Sequence, residues 1–168
     1  ALSRPRRLTT MQPKTWARAL LADHPPAMLR SERDPARREE VRRVLAAHVP
    51  DAWKDGPTLC LGCGDGFEMD VLRERGFKNV HGITNDPAER AADPLIFLGD
   101  VHDMGMLGDG EISFLYSKET LEHLISPWCA LLEMNRVMRL GGEYLHLVST
   151  GIEKQRETYH MSCFPDWV

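Results

Sequence analysis

The sequence predicts an α/β fold in which helices cover both faces of a mostly parallel sheet. From residue 58 onward, short apolar segments of strand length alternate with helical segments, which is typical of parallel strands joined by crossover helices. The first apolar segment ends in glycines at alternate positions, and a helical pattern follows at once. The 168 residues, 42% hydrophobic and 27% charged, have the size and composition of one globular domain.

A basic segment precedes this domain. Residues 1–33 are predicted to form a basic arm that contains one short helix, and residues 34–168 are predicted to form the domain. Residues 1–43 hold 11 Lys and Arg against 5 Asp and Glu, whereas the remaining residues hold 10 against 20. This asymmetry indicates a contact with nucleic acid or with an acidic protein surface, and a merely solvated arm is the alternative.

The secondary-structure elements follow from local signals. Asp34-Pro35 is a helix start, an N-cap residue followed by proline, and that helix is predicted to reach His48. The first strand is predicted at 58–61 and its helix at 67–75. The later strands are predicted at 80–83, 95–98, 112–116 and 143–149, and a helix is predicted from Ser126-Pro127 to Arg139, ended by Gly141-Gly142.

The glycine-rich turn after the first strand is the main functional signal. Gly62, Gly64 and Gly66 stand between a buried strand and a helix. Such a turn uses backbone angles that are closed to other residues, and it lets a ligand approach the backbone. The helix behind it presents free N–H groups and a partial positive charge, which suit an anionic or polar cofactor.

The chain contains, in order, the segments LCLGCGDG, VHGITNDP, FLGDVHDM, ISFLYSKETLEHL and LLEMNRVMRLGGEYLHLVS. Together they resemble the class I S-adenosylmethionine-dependent methyltransferases, and in particular the small single-domain group called type 11. The resemblance covers residues 56–150 and implies a Rossmann-like three-layer sandwich, methyl transfer as the activity and S-adenosylmethionine as the cofactor. Because 19 residues follow Ser149, the sheet is expected to be shortened after strand five, with that strand as an exposed edge.

The resemblance also implies a cofactor site at the carboxyl edge of the sheet. In open α/β sheets this edge is where ligands bind. The implied contacts are Gly62, Cys63, Gly64 and Gly66 for the methionine part, Thr84 and Asn85 for the ribose hydroxyls, Asp100 and Val101 for adenine, and Ser117 for the reactive end.

Two positions depart from the family pattern. Cys60 stands where the family usually has an acidic residue, and Thr84 stands at the tip of strand two, where it usually has Asp or Glu. A carboxylate at that tip accepts two ribose hydroxyls, and losing two charge-assisted bonds corresponds to about 2–4 kcal/mol of weaker binding. Asp86 is a candidate to take over this role, and Thr84→Asp is expected to strengthen cofactor binding.

Other kinds of chemistry are less well supported by the residues. A nicotinamide site would want glycine where Phe67 stands. Cys60 and Cys63 have the C-x-x-C spacing of redox and half zinc sites, but no second pair follows at a suitable distance, so no metal is expected. His123 is the candidate catalytic acid or base, with His160 as another, and a structural hydrogen bond is the alternative role of His123.

The sequence is therefore consistent with two functions. The first is an enzyme that transfers a methyl group from S-adenosylmethionine to an unidentified acceptor. The second is a methyltransferase-like module with a weakened cofactor site that acts in binding or assembly. A homo-oligomer or a partner protein is expected at the strand-five edge and the carboxyl-terminal tail. A cytoplasmic location is expected, because no apolar segment approaches membrane-spanning length and no signal-peptide pattern is seen.

Overall fold

The structure of the protein is a computed structural model that describes residues 35–90 and 93–148. Within these ranges the chain forms a five-stranded sheet and four α-helices. The helices are α1 (Pro35–His48), α2 (Phe67–Glu74), α3 (Pro87–Arg90) and α4 (Pro127–Val137). The strands are β1 (Pro57–Leu61), β2 (Asn79–Thr84), β3 (Ile96–Leu98), β4 (Ile112–Lys118) and β5 (Met138–Leu147), and 3-10 turns span Asp51–Trp53 and Leu121–His123.

The sheet is parallel throughout, in the order β3-β2-β1-β4-β5. Its register brings the carboxyl ends of the strands together, because Leu61 of β1 lies beside Ile83 of β2 and Ser117 of β4, and Thr84 lies beside Leu98 of β3. The predicted α/β fold with a parallel sheet is confirmed. The strand tips that carry the predicted site therefore share one edge.

Two hydrophobic cores separate the layers. On one face of the sheet, α1 and α2 bury Leu45 and Leu72 against the strands. On the other face, α4 buries Met134 and Val137 against a second set of strand residues that includes Leu115. Successive residues of a strand thus belong to different cores, as is expected when helices cover both faces of a sheet.

The carboxyl end of α1 is fixed to α2 by Arg75. Its guanidinium donates to the carbonyl oxygens of Leu45 at 2.5 Å and Val49 at 3.0 Å. The last carbonyls of a helix have no partner within the helix, so a cation with several donors satisfies them well. The contact holds the beginning of the domain onto the helix that follows the glycine turn.

The predicted boundary between the last helix and strand five is wrong. The helix α4 ends at Val137 rather than Arg139, and β5 begins at Met138, which pairs with Ile112 before the register shifts. Gly141 has φ 77° and stands within β5. The glycine pair therefore marks an irregularity inside the strand, a role that glycine has as well as that of ending a helix.

Other predictions concern residues that the structure does not describe or describes only in part. The basic arm, its boundary at residue 33 and the carboxyl-terminal tail lie outside residues 35–90 and 93–148. Within those two ranges, no helix is long and apolar enough to cross a membrane.

Candidate cofactor site

The turn between β1 and α2 has the backbone that its glycines predict. Gly62, Gly64 and Gly66 have φ of 58°, 55° and 90°, all in the left-handed region that favours glycine. The turn is closed by hydrogen bonds from the Cys63 amide to the Ile83 carbonyl at 3.2 Å and from the Gly66 amide to the Cys63 carbonyl at 3.0 Å. The first amides of α2 point toward the turn, as in sites that bind polar ligands at a helix N-terminus.

Gly62 has a further reason to be glycine. A Cβ at this position would lie 2.6 Å from the Thr120 hydroxyl oxygen, too close for any side chain. Thr120 is held there because its hydroxyl donates to the carbonyl oxygens of Leu61 at 3.1 Å and Lys118 at 3.0 Å. The loop after β4 therefore packs directly on the glycine turn, a contact that the sequence pattern does not reveal.

The two cysteines of the C-x-x-C segment are buried. Burial raises the pKa of Cys60 well above its ordinary value, and it raises the pKa of Cys63 to about 12. Neutral buried thiols are poor nucleophiles and poor metal ligands. In the described part of the chain, no group of three or more His, Cys, Asp and Glu is arranged to hold a metal ion. Burial of both thiols therefore argues against redox or metal chemistry at this segment.

The tip of β2 is held by side-chain hydrogen bonds within the chain. Thr84 is only 4% exposed, and its hydroxyl donates a hydrogen bond to the Glu89 carboxylate while it accepts one from the Asp86 amide at 3.1 Å. Asn85 is exposed. The Asp86 carboxylate accepts from the Ala88 amide at 2.8 Å and so begins α3. The carboxylate that lies at this tip thus belongs to Glu89, which sequence reasoning missed.

After β3, Asp100 is ionised and partly exposed. Its Oδ1 accepts from the His102 ring Nδ1 at 2.6 Å and from the His102 amide at 2.8 Å. The His102 ring, followed by its amide, holds the pKa of Asp100 below the ordinary value despite partial burial. His102 is itself placed by the Ser126 amide, which donates to its Nε2 at 3.3 Å. Val101 is buried beside this carboxylate.

At the tip of β4, Ser117 is buried and bonded to a residue of β5. Its hydroxyl lies 2.6 Å from His146 Nδ1. Burial lowers the pKa of His146 to about 4, so this ring is neutral at pH 7. His123 lies beyond, half-buried in the 3-10 turn that follows the strand. An acid–base role for His123 stays a prediction.

The residues present fit S-adenosylmethionine. The carboxylates of Glu89 and Asp100 follow neighbouring strands β2 and β3, where they could accept from ribose hydroxyls and an adenine amino group. The turn Gly62–Gly66 has three glycines in the left-handed region, a type of backbone that forms anion-binding nests and suits the carboxylate of the methionine part. The donor and acceptor types therefore match the cofactor that the resemblance implies.

Comparison with known proteins identifies the family. The family model of the methyltransferase domain matches residues 59–146, which include the glycine turn and the carboxyl ends of β1 to β4. The chain belongs to this family. The family uses S-adenosylmethionine, so the predicted family and cofactor are confirmed at the level of the domain.

Solved structures share the fold at low sequence identity. A geranyl diphosphate C-methyltransferase of Streptomyces coelicolor, in complex with Mg²⁺, geranyl diphosphate and S-adenosyl-L-homocysteine, is 18% identical with a TM-score of 0.55, over 68% of this chain and 51% of that chain. An S-adenosylmethionine-dependent methyltransferase of Archaeoglobus fulgidus is 19% identical with a TM-score of 0.55, over 64% and 51%. A chain of a complex that contains the Haloferax volcanii Trm112 methyltransferase activator is 18% identical with a TM-score of 0.58, over 76% and 67%.

A curated protein is similar in sequence. It is an uncharacterized 37.1 kDa protein in transposon TN4556 of Streptomyces fradiae, 33% identical over 103 residues, or 55% of this chain and 30% of that protein. The chain thus spans less than a third of the length of this relative, and about half the length of the methyltransferases of S. coelicolor and A. fulgidus.

Proposed function

We propose that this protein transfers a methyl group from S-adenosylmethionine to an acceptor that is still to be identified. The observation that carries the proposal is the register of the sheet. It places the left-handed turn Gly62–Gly66 beside the tip of β2, with the ionised Asp100 after the next strand. These three places suit the amino acid, ribose and adenine parts of one ligand.

The roles proposed for this chain's residues follow from their chemistry. Gly62, Cys63, Gly64 and Gly66 would hold the methionine part through the backbone, and Asp100 with Val101 would hold adenine. The bound cofactor supplies a methyl group that is already activated on a sulfonium. Alignment of the acceptor nucleophile with that methyl group then provides much of the rate.

We propose that the reactive end lies beside Ser117, on β4, and His123, on the loop after it. Ser117 is engaged with His146, so its proposed part is to shape the pocket wall. We propose His123 as the residue that removes a proton from an acceptor that needs it. His123→Asn should then lower the rate of transfer, because an asparagine side chain cannot accept that proton. The affinity for S-adenosylhomocysteine should not change.

Calorimetry with S-adenosylmethionine and S-adenosylhomocysteine tests the proposed function. Saturable binding of both ligands, with a rise in the unfolding temperature, is expected, because a ligand at 100 times its dissociation constant adds about 2.7 kcal/mol of stability. Transfer of labelled methyl groups to small molecules, nucleic acid and protein fractions would then define the acceptor class. Absence of binding by both ligands at millimolar concentration would instead favour the assembly-module function.

We also propose a contact with a second copy of the chain at the outer edge of β5. In the described ranges, no strand pairs with this edge, and Tyr144 is 61% exposed. The neighbouring helix α4 also exposes Trp128 by 76% and Leu132 by 71%. Unpaired edges and large exposed apolar side chains are typical of association surfaces. Sedimentation should show a dimer or larger species at micromolar concentration. Trp128→Glu should weaken this association, whereas Glu39→Gln, at an exposed position of α1, should not.

The basic amino-terminal segment is proposed as a second contact, with nucleic acid or an acidic protein surface. Part of its charge is already used within the domain, because Arg38 and Arg42 of α1 both bond to Glu74 of α2. The proposal therefore depends mainly on residues 1–33, and deletion of that segment should abolish any salt-sensitive binding of duplex DNA or RNA.

A further inference from the structure

The carboxylate of Glu89 lies at the tip of β2, where Thr84 itself carries no charge. It accepts a hydrogen bond from the Thr84 hydroxyl, and Thr84 is the last residue of the strand. The glycine turn lies beside it, since β1 pairs with β2 up to Leu61 and Ile83. Glu89 stands five residues beyond the strand end, and helix α3 brings its carboxylate back to the tip.

The electrostatic surroundings agree with this position. Burial first, and then the negative charge of Glu89, raises the pKa of Cys63 to about 12. The charge of Glu89 therefore acts on the middle of the glycine turn as well as on the end of β2. A carboxylate that bonds to the end of β2 and acts electrostatically on the neighbouring glycine turn is suited to a ligand that passes from one segment to the other.

Neighbouring polar groups are less suited to bind a diol. The proton of the Thr84 hydroxyl is donated to Glu89, and Thr84 is buried. Asp86 uses Oδ1 to cap α3, where the Ala88 amide donates to it. A carboxylate accepts two hydroxyl protons at once, whereas an amide such as Asn85 offers a single acceptor oxygen.

We propose that Glu89, held by the Thr84 hydroxyl, is the residue that accepts hydrogen bonds from the two ribose hydroxyls of the cofactor. This inference rests on the proposed function. It assigns the ribose contact to a residue of helix α3 instead of the last residue of β2. It also explains how the chain tolerates Thr84 where a carboxylate would otherwise be required, because the missing negative charge is supplied from five residues further on.

Calorimetry with two ligands isolates the hydroxyl contact. The ligands are S-adenosylhomocysteine and its 2′,3′-dideoxy analogue, and the variants are Glu89→Gln and the matched control Asp86→Asn. We expect Glu89→Gln to weaken S-adenosylhomocysteine about 10- to 100-fold, the range for lost charge-assisted bonds, and the dideoxy analogue less than about threefold. Asp86→Asn, which keeps the capping oxygen, should change either affinity less than about threefold.

A second variant guards against a purely structural effect. Thr84→Val keeps the shape of residue 84 but removes the hydroxyl that positions Glu89, and it should weaken S-adenosylhomocysteine more than the dideoxy analogue. Thermal unfolding without ligand would establish that all variants are folded. The same ligand-selective loss in Glu89→Gln and Thr84→Val would support the proposal.

The remaining outcomes separate this inference from the proposed function. If the wild-type protein binds S-adenosylhomocysteine but Glu89→Gln binds it equally well, Glu89 has no such role and the proposed function stands. Equal weakening of both ligands by Glu89→Gln would also overturn the hydroxyl contact. If the wild-type protein binds neither ligand, the proposed function and the role of Glu89 are both wrong.

Discussion

Arg136 and Glu133, one turn apart on α4, form a bidentate ion pair that holds the loop between β3 and β4. Arg136 Nε donates to Glu133 Oε1 and its Nη2 to Oε2, both at 2.8 Å. The same guanidinium donates to the carbonyl oxygens of Leu107 at 3.0 Å and Met104 at 3.1 Å, and Glu133 accepts from the Met104 amide at 2.9 Å. The loop that follows Asp100 is thus fastened to α4.

Replacement of this arginine tests the role of the pair. Arg136→Lys keeps the charge but cannot reproduce the planar set of donors. We expect the free energy of unfolding to fall by about 1–3 kcal/mol, because the part-buried carbonyl of Leu107 loses this donor and that of Met104 keeps only the Leu107 amide. Hydrogen exchange should accelerate at Met104 and Leu107 amides. Arg139→Lys, whose guanidinium lies 5.0 Å from the Trp53 ring, is the control and should change stability less.

The glycine turn allows a test in which backbone strain is matched. Gly64 has φ 55° in the turn, and Gly76 has φ 94° at the other end of α2. Valine at either position suffers the left-handed penalty of about 1–2 kcal/mol, but only Gly64→Val fills space that the cofactor would need. Calorimetry should therefore show lost binding of S-adenosylhomocysteine for Gly64→Val and retained binding for Gly76→Val. Equal affinity in both variants would contradict a cofactor at this turn.

Because Thr84 contacts Glu89, the expected effect of Thr84→Asp on cofactor affinity is opposite to the one that the sequence alone suggests. The carboxylate introduced by Thr84→Asp would lie against that of Glu89, and two like charges in contact disfavour the ionised form of each. We therefore expect Thr84→Asp to weaken S-adenosylhomocysteine, and the double variant Thr84→Asp with Glu89→Gln to recover part of the loss. Stronger binding by Thr84→Asp alone would show instead that the strand tip binds the ribose.

The thiol groups should differ sharply in reactivity. At pH 8, Cys63 with a pKa of about 12 and the fully buried Cys60 remain neutral, whereas Cys129 is exposed on α4. Iodoacetamide reacts with thiolates, so native protein should be alkylated at Cys129 and protected at both residues of the C-x-x-C segment. Peptide mass spectrometry would measure this, with urea-unfolded protein as the control. Rapid alkylation of native Cys63 would contradict the buried turn.

His146 predicts a pH dependence of stability. Burial lowers its pKa in the folded protein to about 4, compared with about 6.5 in an unfolded chain. As pH falls through that interval, the unfolded state takes up a proton that the folded state does not, so the free energy of unfolding decreases. Urea unfolding at pH 7.5, 6 and 5 should show a smaller decrease for His146→Asn than for the wild type. His48→Asn, at the exposed end of α1, should leave the wild-type decrease unchanged.

Local patterns in the sequence were sufficient for the fold and the backbone of the site. Apolar segments bounded by turn residues predicted all five strands, and the alternate glycines predicted the turn whose φ angles are positive. These features depend on neighbours a few residues away, so they can be read along the chain. The same kind of signal misplaced the end of α4, because a glycine pair can end a helix or interrupt a strand, and only the pairing of Met138 with Ile112 distinguishes the two.

Side-chain partners were decided by the tertiary structure. The Thr120 hydroxyl bonds to the Leu61 carbonyl, 59 residues away, and Ser117 meets His146 because β4 and β5 pair in that register. Glu89 is close in sequence to Thr84, but its carboxylate reaches the strand tip only because α3 begins at Pro87 and turns it back. The sequence by itself determined which backbone could hold a cofactor. Strand register and helix direction determined which side chains lie beside that backbone, because they bring together residues that no local pattern relates.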